Sequence, residues 1–213
     1  MNRITILLIA VLFFGYSNVT AQNIMNYDVR ELEYTPVSDP EFDWSQYEEK
    51  QIKAVLGKKG LELESKAEGM PCLSVCELPI NMKSEDFVVA LKMSPESVDD
   101  KKPFGIVYDY KNDANYKMLL ILKKGFQLLE CEKGEISVVK KGMYKGKDKE
   151  FTLSITRNKN KLYFGINGIN LTSQLNSNLE YPVFGFVIAS KGKLIGKSLA
   201  FKKISPKETE EDN

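Results

Sequence analysis

From residue 51 onward the chain is a succession of short runs in which apolar and polar residues alternate at every second position. That period belongs to strands with one face in a core. Phe87, Val89, Leu91 and Met93 share one face of such a run. Phe104, Ile106, Tyr108 and Tyr110 share another, with Gly105, Val107 and Asp109 opposite. Phe151, Leu153 and Ile155 alternate with Thr152, Ser154 and Thr156, which predicts a sheet with one dry and one polar face. Leu162, Phe164 and Ile166 continue the pattern, followed by Phe184, Phe186 and Ile188, then Leu199 and Phe201. Earlier strands are predicted at residues 54–56, 61–63 and 73–80. Residues 102–130 read as three strands in succession, parted by an Asn112-Asp113 loop and a Lys123-Lys124-Gly125 turn.

Turn signals punctuate these runs. Asn167-Gly168 between two apolar runs is a strong hairpin signal, because both residues tolerate φ > 0. Further turns are expected at 57–60, Lys124-Gly125, Lys133-Gly134, Lys141-Gly142 and Lys191-Gly192. A turn about every 8–12 residues predicts an all-β class: an antiparallel two-sheet β-sandwich of jelly-roll type. No stretch carries a helical period, and no self-similar repeat is present.

The ends differ from this body. Arg3, an apolar run over residues 4–14 and the small-residue sequence Val19-Thr20-Ala21 describe a secretory signal peptide at residues 1–21. The run is shorter than the roughly 20 residues of a transmembrane helix, so no membrane insertion is expected after cleavage. No cysteine stands near the cleavage site, which argues against a lipid anchor. The expectation is an exported protein, periplasmic or extracellular. Residues 22–45 form an extended, Pro-punctuated lead-in, residues 46–204 the sandwich, and residues 205–213 an acidic, disordered tail. Trp44 is expected to anchor the lead-in rather than to offer a ligand platform, since a lone large aromatic usually fills a core.

Composition removes several chemistries. The chain carries 30 Lys and Arg against 29 Asp and Glu, and Arg3 is the one charged residue in 1–21. The exported remainder is therefore neutral, with no basic excess to attract nucleic acid. With no histidine, Ser-His-Asp and Cys-His catalysis and His-containing metal sites are excluded. Cys72, Cys76 and Cys131 are odd in number for an exported chain. Cys72 and Cys76 lie about 13 Å apart along a strand, beyond disulfide reach. Two readings stand: a bridge from Cys131 to Cys72 or Cys76, or small buried thiols, with burial favoured.

Three segments carry a family resemblance: residues 86–89, then 104–108 with Asn115-Tyr116, then 164–168 followed by 184–186. In this order and spacing they resemble the concanavalin A-like lectin/glucanase superfamily, in particular LamG-like exported bacterial members, over residues 44–204. The resemblance implies two stacked antiparallel sheets, one of them concave, with glycan binding or glycan cleavage as recurring functions. Glucanases of the superfamily carry a Glu-x-Asp-x-x-Glu motif, and none occurs here. Glu62 with Glu64 and Glu130 with Glu132 pair on strand faces, where a solvated face is the ordinary reading. No catalytic residue is assigned. A branch of exported sugar-processing hydrolases shares similar strands, and its catalytic residues cannot be carried over.

Tyrosines offer the binding chemistry, a flat apolar ring with a hydroxyl at its edge. The ligand-contact candidates are Tyr108, Tyr110, Tyr116 and Tyr163, with Asn115. Alternation places Tyr108 and Tyr110 on the core face and makes Tyr163, opposite Leu162 and Phe164, the ring expected in solvent. Because some LamG-like domains bind calcium at the sheet rim, Asp99, Asp100, Asn112 and Asp113 are the candidate Ca2+ ligands, oxygen donors suited to a hard cation. Asx residues in loops serve mostly as turn formers. The leading expectation is an exported, non-catalytic domain that binds a glycan or an envelope protein partner. A carboxylate-dependent glycan hydrolase and an envelope scaffold or assembly component are the alternatives.

Overall fold

The computed structural model describes residues 28–204 apart from 146, 147, 160, 176 and 177. The signal-peptide segment, the first residues of the lead-in and the acidic tail lie outside the described residues. Among the described residues a turn of 3-10 helix at Val29–Glu31 precedes fifteen strands. They are β1 (Thr35–Pro36), β2 (Tyr47–Glu48), β3 (Ile52–Gly57), β4 (Gly60–Ser65), β5 (Cys72–Glu77), β6 (Asp86–Pro95), β7 (Phe104–Asn112) and β8 (Asn115–Leu122). Then come β9 (Gly125–Glu132), β10 (Glu135–Met143), β11 (Phe151–Asn158), β12 (Lys161–Ile166), β13 (Ile169–Leu175), β14 (Val183–Ile188) and β15 (Gly192–Ile204).

These strands build two antiparallel sheets stacked as a jelly-roll β-sandwich. The larger runs β13-β12-β11-β6-β15-β4-β3-β2, with β1 also on β15; the smaller runs β10-β9-β8-β7-β14-β5. β6 pairs with β11 and β15, far from it in sequence, and β14 lies between β7 and β5. Such long-range pairing converts the alternation of each strand into one closed core. Phe104 meets Phe151 across the layers with ring centroids 5.0 Å apart, Phe87 meets Phe184 at 5.8 Å, and Tyr108 meets Phe164 at 5.7 Å. Each such ring is fully buried and contributes roughly 1.5–3 kcal/mol by leaving water.

Most turns fall where the residues place them. Asn167 and Gly168 take φ of 50° and 80° in a two-residue hairpin, and Lys133 and Gly134 take 54° and 84°. Lys141-Gly142 is the exception: it lies inside β10. A Cβ at Gly142 would come within 2.5 Å of the Phe126 ring, so this glycine serves packing rather than a turn.

The polar face expected of β11 is not solvated. Ser154 and Thr156 are buried, in register with Ala90 and Val88 of β6. The lead-in crosses this outer face, packing Val29, Leu32 and Tyr34 on Val88 and Ala90. Tyr34 donates to the Val29 carbonyl at 2.7 Å, and Lys92 Nζ sits 3.6 Å over its ring. Trp44 holds the other end of the lead-in in the core, 5.2 Å from Phe186 and 6.1 Å from Phe42.

All three cysteines are free and buried. Cys72 and Cys76 belong to the core between the sheets, whereas Cys131 belongs to a separate apolar cluster on the outer face of the smaller sheet. A sheet therefore stands between Cys131 and the other two, and the bridge reading is corrected to buried thiols. Burial, and then Asp43, pushes the Cys76 thiol up to about 12.

Candidate functional site

The outer face of the smaller sheet is apolar, with Val107, Met118, Leu120, Leu129 and Val187 in one cluster. At one end of that face the β7–β8 hairpin departs from regular pairing. Register runs from Phe104↔Ile121 to Tyr108↔Lys117 and then slips to Asn112↔Asn115. Asp109 sits at the slip with φ of 51°, a left-handed conformation that Asp tolerates better than most residues. The kink breaks the alternation. Tyr108 points into the core, and Tyr110 joins the outer-face cluster instead of following it.

Buried interactions fix Asp109. Its Oδ1 accepts from the backbone N–H groups of Glu180 and Tyr181 at 2.8 and 2.9 Å. Its Oδ2 accepts from Lys117 Nζ at 2.7 Å, with both side chains largely buried. Lys117 also lies 3.7 Å from Glu130. This carboxylate is thus saturated with donors, and its role is to hold the kink and the loop before β14.

The kink turns Tyr110 onto Tyr116. The two rings stack with centroids 6.1 Å apart and 30° between planes, and Tyr110 donates its hydroxyl to Asp113 Oδ1 at 2.7 Å. Together with Tyr47, Glu49 and Ile52 they line a pocket of about 510 Å3, with Leu73 and Val75 of β5 at its apolar side. Tyr47 is held there by its hydroxyl, which donates to the Leu73 carbonyl at 2.7 Å and accepts from the Leu73 N–H at 3.1 Å. Ser45 ties the same segment to β5: its N–H donates to the Val75 carbonyl at 2.9 Å, and its carbonyl accepts from Ser74 Oγ at 2.6 Å. A second, more polar pocket of about 270 Å3 lies on the other side of Tyr116, lined by Lys111, Asn115, Glu132, Glu180 and Tyr181 among others.

The expected residues are thus partly brought together. Tyr110, Tyr116 and Asp113 meet in one pocket, and Asn115 lines the neighbouring one. The Asn115 amide is engaged locally, donating to Asn112 Oδ1 at 2.9 Å and accepting from the Lys133 N–H at 3.2 Å. Tyr108 is corrected: at 2 % exposure it is a core ring and meets no ligand. Tyr163 is corrected too. It stands in the row Val88, Thr156, Tyr163 of the larger sheet's outer face, which the lead-in crosses, and is 7 % exposed. Tyr47 and Glu49 went unnoticed because they precede the first clear alternating run.

The four candidate calcium ligands do not form one site. Asp99 and Asp100 precede β7, while Asn112 is its last residue and Asp113 follows it. Eight strand residues, 104–111, part the two pairs by roughly 26 Å. Each acts as a local acceptor: Asp99 from Lys101 N–H, Asp100 from Lys124 N–H, Asn112 from Ala114 N–H and Asp113 from Tyr110. Among the described residues no group of three or more Cys, Asp or Glu is placed to hold a metal ion. Of the carboxylate pairs, Glu64 lies 3.6 Å from Lys193 and Glu130 beside Lys117, so each pair has one member engaged by a cation.

Burial raises the pKa of Tyr47, Tyr110 and Tyr116. Tyr116 is pushed up to about 12 by burial and then by the neighbouring Cys131. Tyr110 is raised by burial and by its bond to Asp113, and Tyr47 by burial and Cys72. These rings are neutral at physiological pH, apolar on their faces and able to donate at their edges. A group whose folded-state pKa is raised contributes stability that is complete below its unfolded value and lost as pH rises through the folded one. With Cys76 raised from 9.0 and Tyr34 and Tyr116 raised from 10.0, all to about 12, stability is expected to fall between pH 9 and about 12. No histidine is present to titrate between pH 6 and 8, so stability there should be flat. Urea midpoints measured from pH 6 to about pH 12 check both statements.

No protein-family model matches the chain, and no curated protein sequence matches it. Solved structures do. The carbohydrate-binding module CBM66 from Bacillus subtilis superposes with a TM-score of 0.57 at 10% identity, over 75% of this chain and 94% of that one. A Bacillus subtilis protein of galectin-like fold gives 0.51 at 12% identity, over 80% and 98%. The xyloglucan PUL protein GH43B of Bacteroides ovatus gives 0.51 at 14% identity, over 75% of this chain but 38% of that one. At these identities the likeness speaks for the fold.

Proposed function

We propose that this protein is an exported glycan-recognition domain that holds a neutral sugar in the Tyr47–Tyr110–Tyr116 pocket. The observation that carries the reading is the Tyr110–Tyr116 stack beside Asp113, built by the kink at Asp109. A sugar ring presents an apolar face of C–H groups and a rim of hydroxyls. Tyr110 supplies a partly exposed ring for the face, and Asp113 and Glu49 supply acceptors for the rim. No Lys or Arg lines the pocket, so its two carboxylates favour neutral over anionic sugars. The fold shared with a carbohydrate-binding module supports the reading, as does the resemblance to LamG-like members. Export to the periplasm or the cell exterior is part of the proposal, on the signal-peptide pattern of residues 1–21.

Affinity electrophoresis of the purified protein against a panel of neutral polysaccharides tests the reading. Retardation by at least one is expected, and Tyr110→Ala should weaken that binding about ten-fold or more, given the worth of one aromatic contact. A blank panel, or Tyr110→Ala binding like wild type, would overturn it. Release of reducing ends from a bound glycan would replace recognition with hydrolysis.

A further inference from the structure

Three tyrosine rings, Tyr47, Tyr110 and Tyr116, line the pocket of about 510 Å3 together with two carboxylates, Glu49 and Asp113, and no cationic side chain joins them. Asp113 lies close to all three rings. It accepts the Tyr110 hydroxyl at 2.7 Å. Its negative charge also acts, behind burial and a neighbouring thiol, to raise the pKa of Tyr47 and of Tyr116. Both carboxylates are exposed, and among the described residues neither stands in an ion pair with a lysine or arginine. The pocket therefore sets uncompensated negative charge beside aromatic walls. Its other side, with Ile52, Pro71, Leu73 and Val75, is apolar.

The face of an aromatic ring is the negative end of its quadrupole and attracts a cation. A bare ammonium holds its water strongly and would lose it to apolar walls at a cost. An ammonium wrapped in methyl groups holds water less tightly. It can set its methyls on the rings and on the apolar side while its charge stays within reach of the carboxylates. We infer that this pocket takes a methylated ammonium group, of the kind choline carries, with the three tyrosines as its walls and Asp113 and Glu49 as its counter-charges. The same two carboxylates that disfavour an anionic sugar favour such a cation. This inference goes beyond the glycan reading and does not rest on it, because a neutral sugar brings no charge to the pocket.

Amide NMR titration with choline chloride, set beside 3,3-dimethylbutan-1-ol, tests it. The alcohol has the shape of choline with carbon in place of the charged nitrogen. Choline should give saturable shifts at Tyr47, Tyr110, Asp113 and Tyr116 and should bind about ten-fold or more tightly than the alcohol. Asp113→Asn keeps an acceptor for the Tyr110 hydroxyl and removes the charge. It should weaken choline binding about ten-fold, with far-UV circular dichroism unchanged, and Glu49→Gln should shift affinity in the same direction. No saturable choline binding, equal affinity for choline and the alcohol, or Asp113→Asn binding choline like wild type would each overturn the inference. Choline binding beside a blank polysaccharide panel would support it and overturn the glycan reading alone.

Discussion

Asp109→Ala is expected to lower unfolding free energy by about 3–5 kcal/mol, because it leaves the buried Lys117 ammonium without its closest partner. The same change strips the Glu180 and Tyr181 N–H groups of their acceptor. Alanine also meets a backbone cost at φ of 51°, on the order of 1 kcal/mol. Two further variants separate these causes. Asp109→Gly relieves the backbone cost and keeps the loss of the ion pair. Asp109→Asn keeps an acceptor for the loop and tolerates the conformation, so it should fall between wild type and alanine. Urea unfolding followed by far-UV circular dichroism measures all three. An alanine variant within 1 kcal/mol of wild type would contradict the role given to Asp109.

Trp44→Ala is the second large effect, about 3–5 kcal/mol, the usual cost of removing a buried Trp or Phe ring. Trp44 is 3 % exposed and packs against Phe42 and Phe186, so its loss opens a cavity under the segment that carries Tyr47 and Glu49. That segment is tied to β5 through Ser45, and it forms one side of the pocket. The variant should therefore lose glycan affinity together with stability, whereas Trp44→Phe should retain most of both. Circular dichroism is the appropriate probe, since the substitution removes the only tryptophan.

Much of the sandwich is legible from alternation alone. The runs at Phe87, Phe104, Phe151, Leu162 and Phe184 all become strands whose named residues, Tyr110 apart, form the core, and Asn167-Gly168 becomes the hairpin it spells. A regular period of two carries that information directly. The site is legible only in its residue types. Asp109 flips the face of everything after it in β7, and a count of alternating residues contains no term for one left-handed residue. Reading Tyr110 as a partner of Tyr108 on the core face follows from that omission. The Asx-rich stretch Asp109, Asn112, Asp113 and Asn115 was the available sign of irregular backbone. Tyr163 fails for another reason: its strand alternates as predicted, but the outer face it stands on is closed, with Val88 and Thr156 of the same row buried and the lead-in, which has no period of its own, packed on Val88. The calcium set fails because residues close in sequence to one strand lie at its two ends.

Glycan recognition as proposed has a location, the Tyr110–Tyr116 stack. Amide NMR titration of the protein with a polysaccharide fragment that retards it tests this most directly. Shifts confined to residues 45–52, Leu73, Val75 and the β7–β8 hairpin around residues 109–116 are the predicted result. Shifts centred on Glu62, Glu64 and Lys193 of the larger sheet's outer face, with the tyrosine pocket silent, would contradict it.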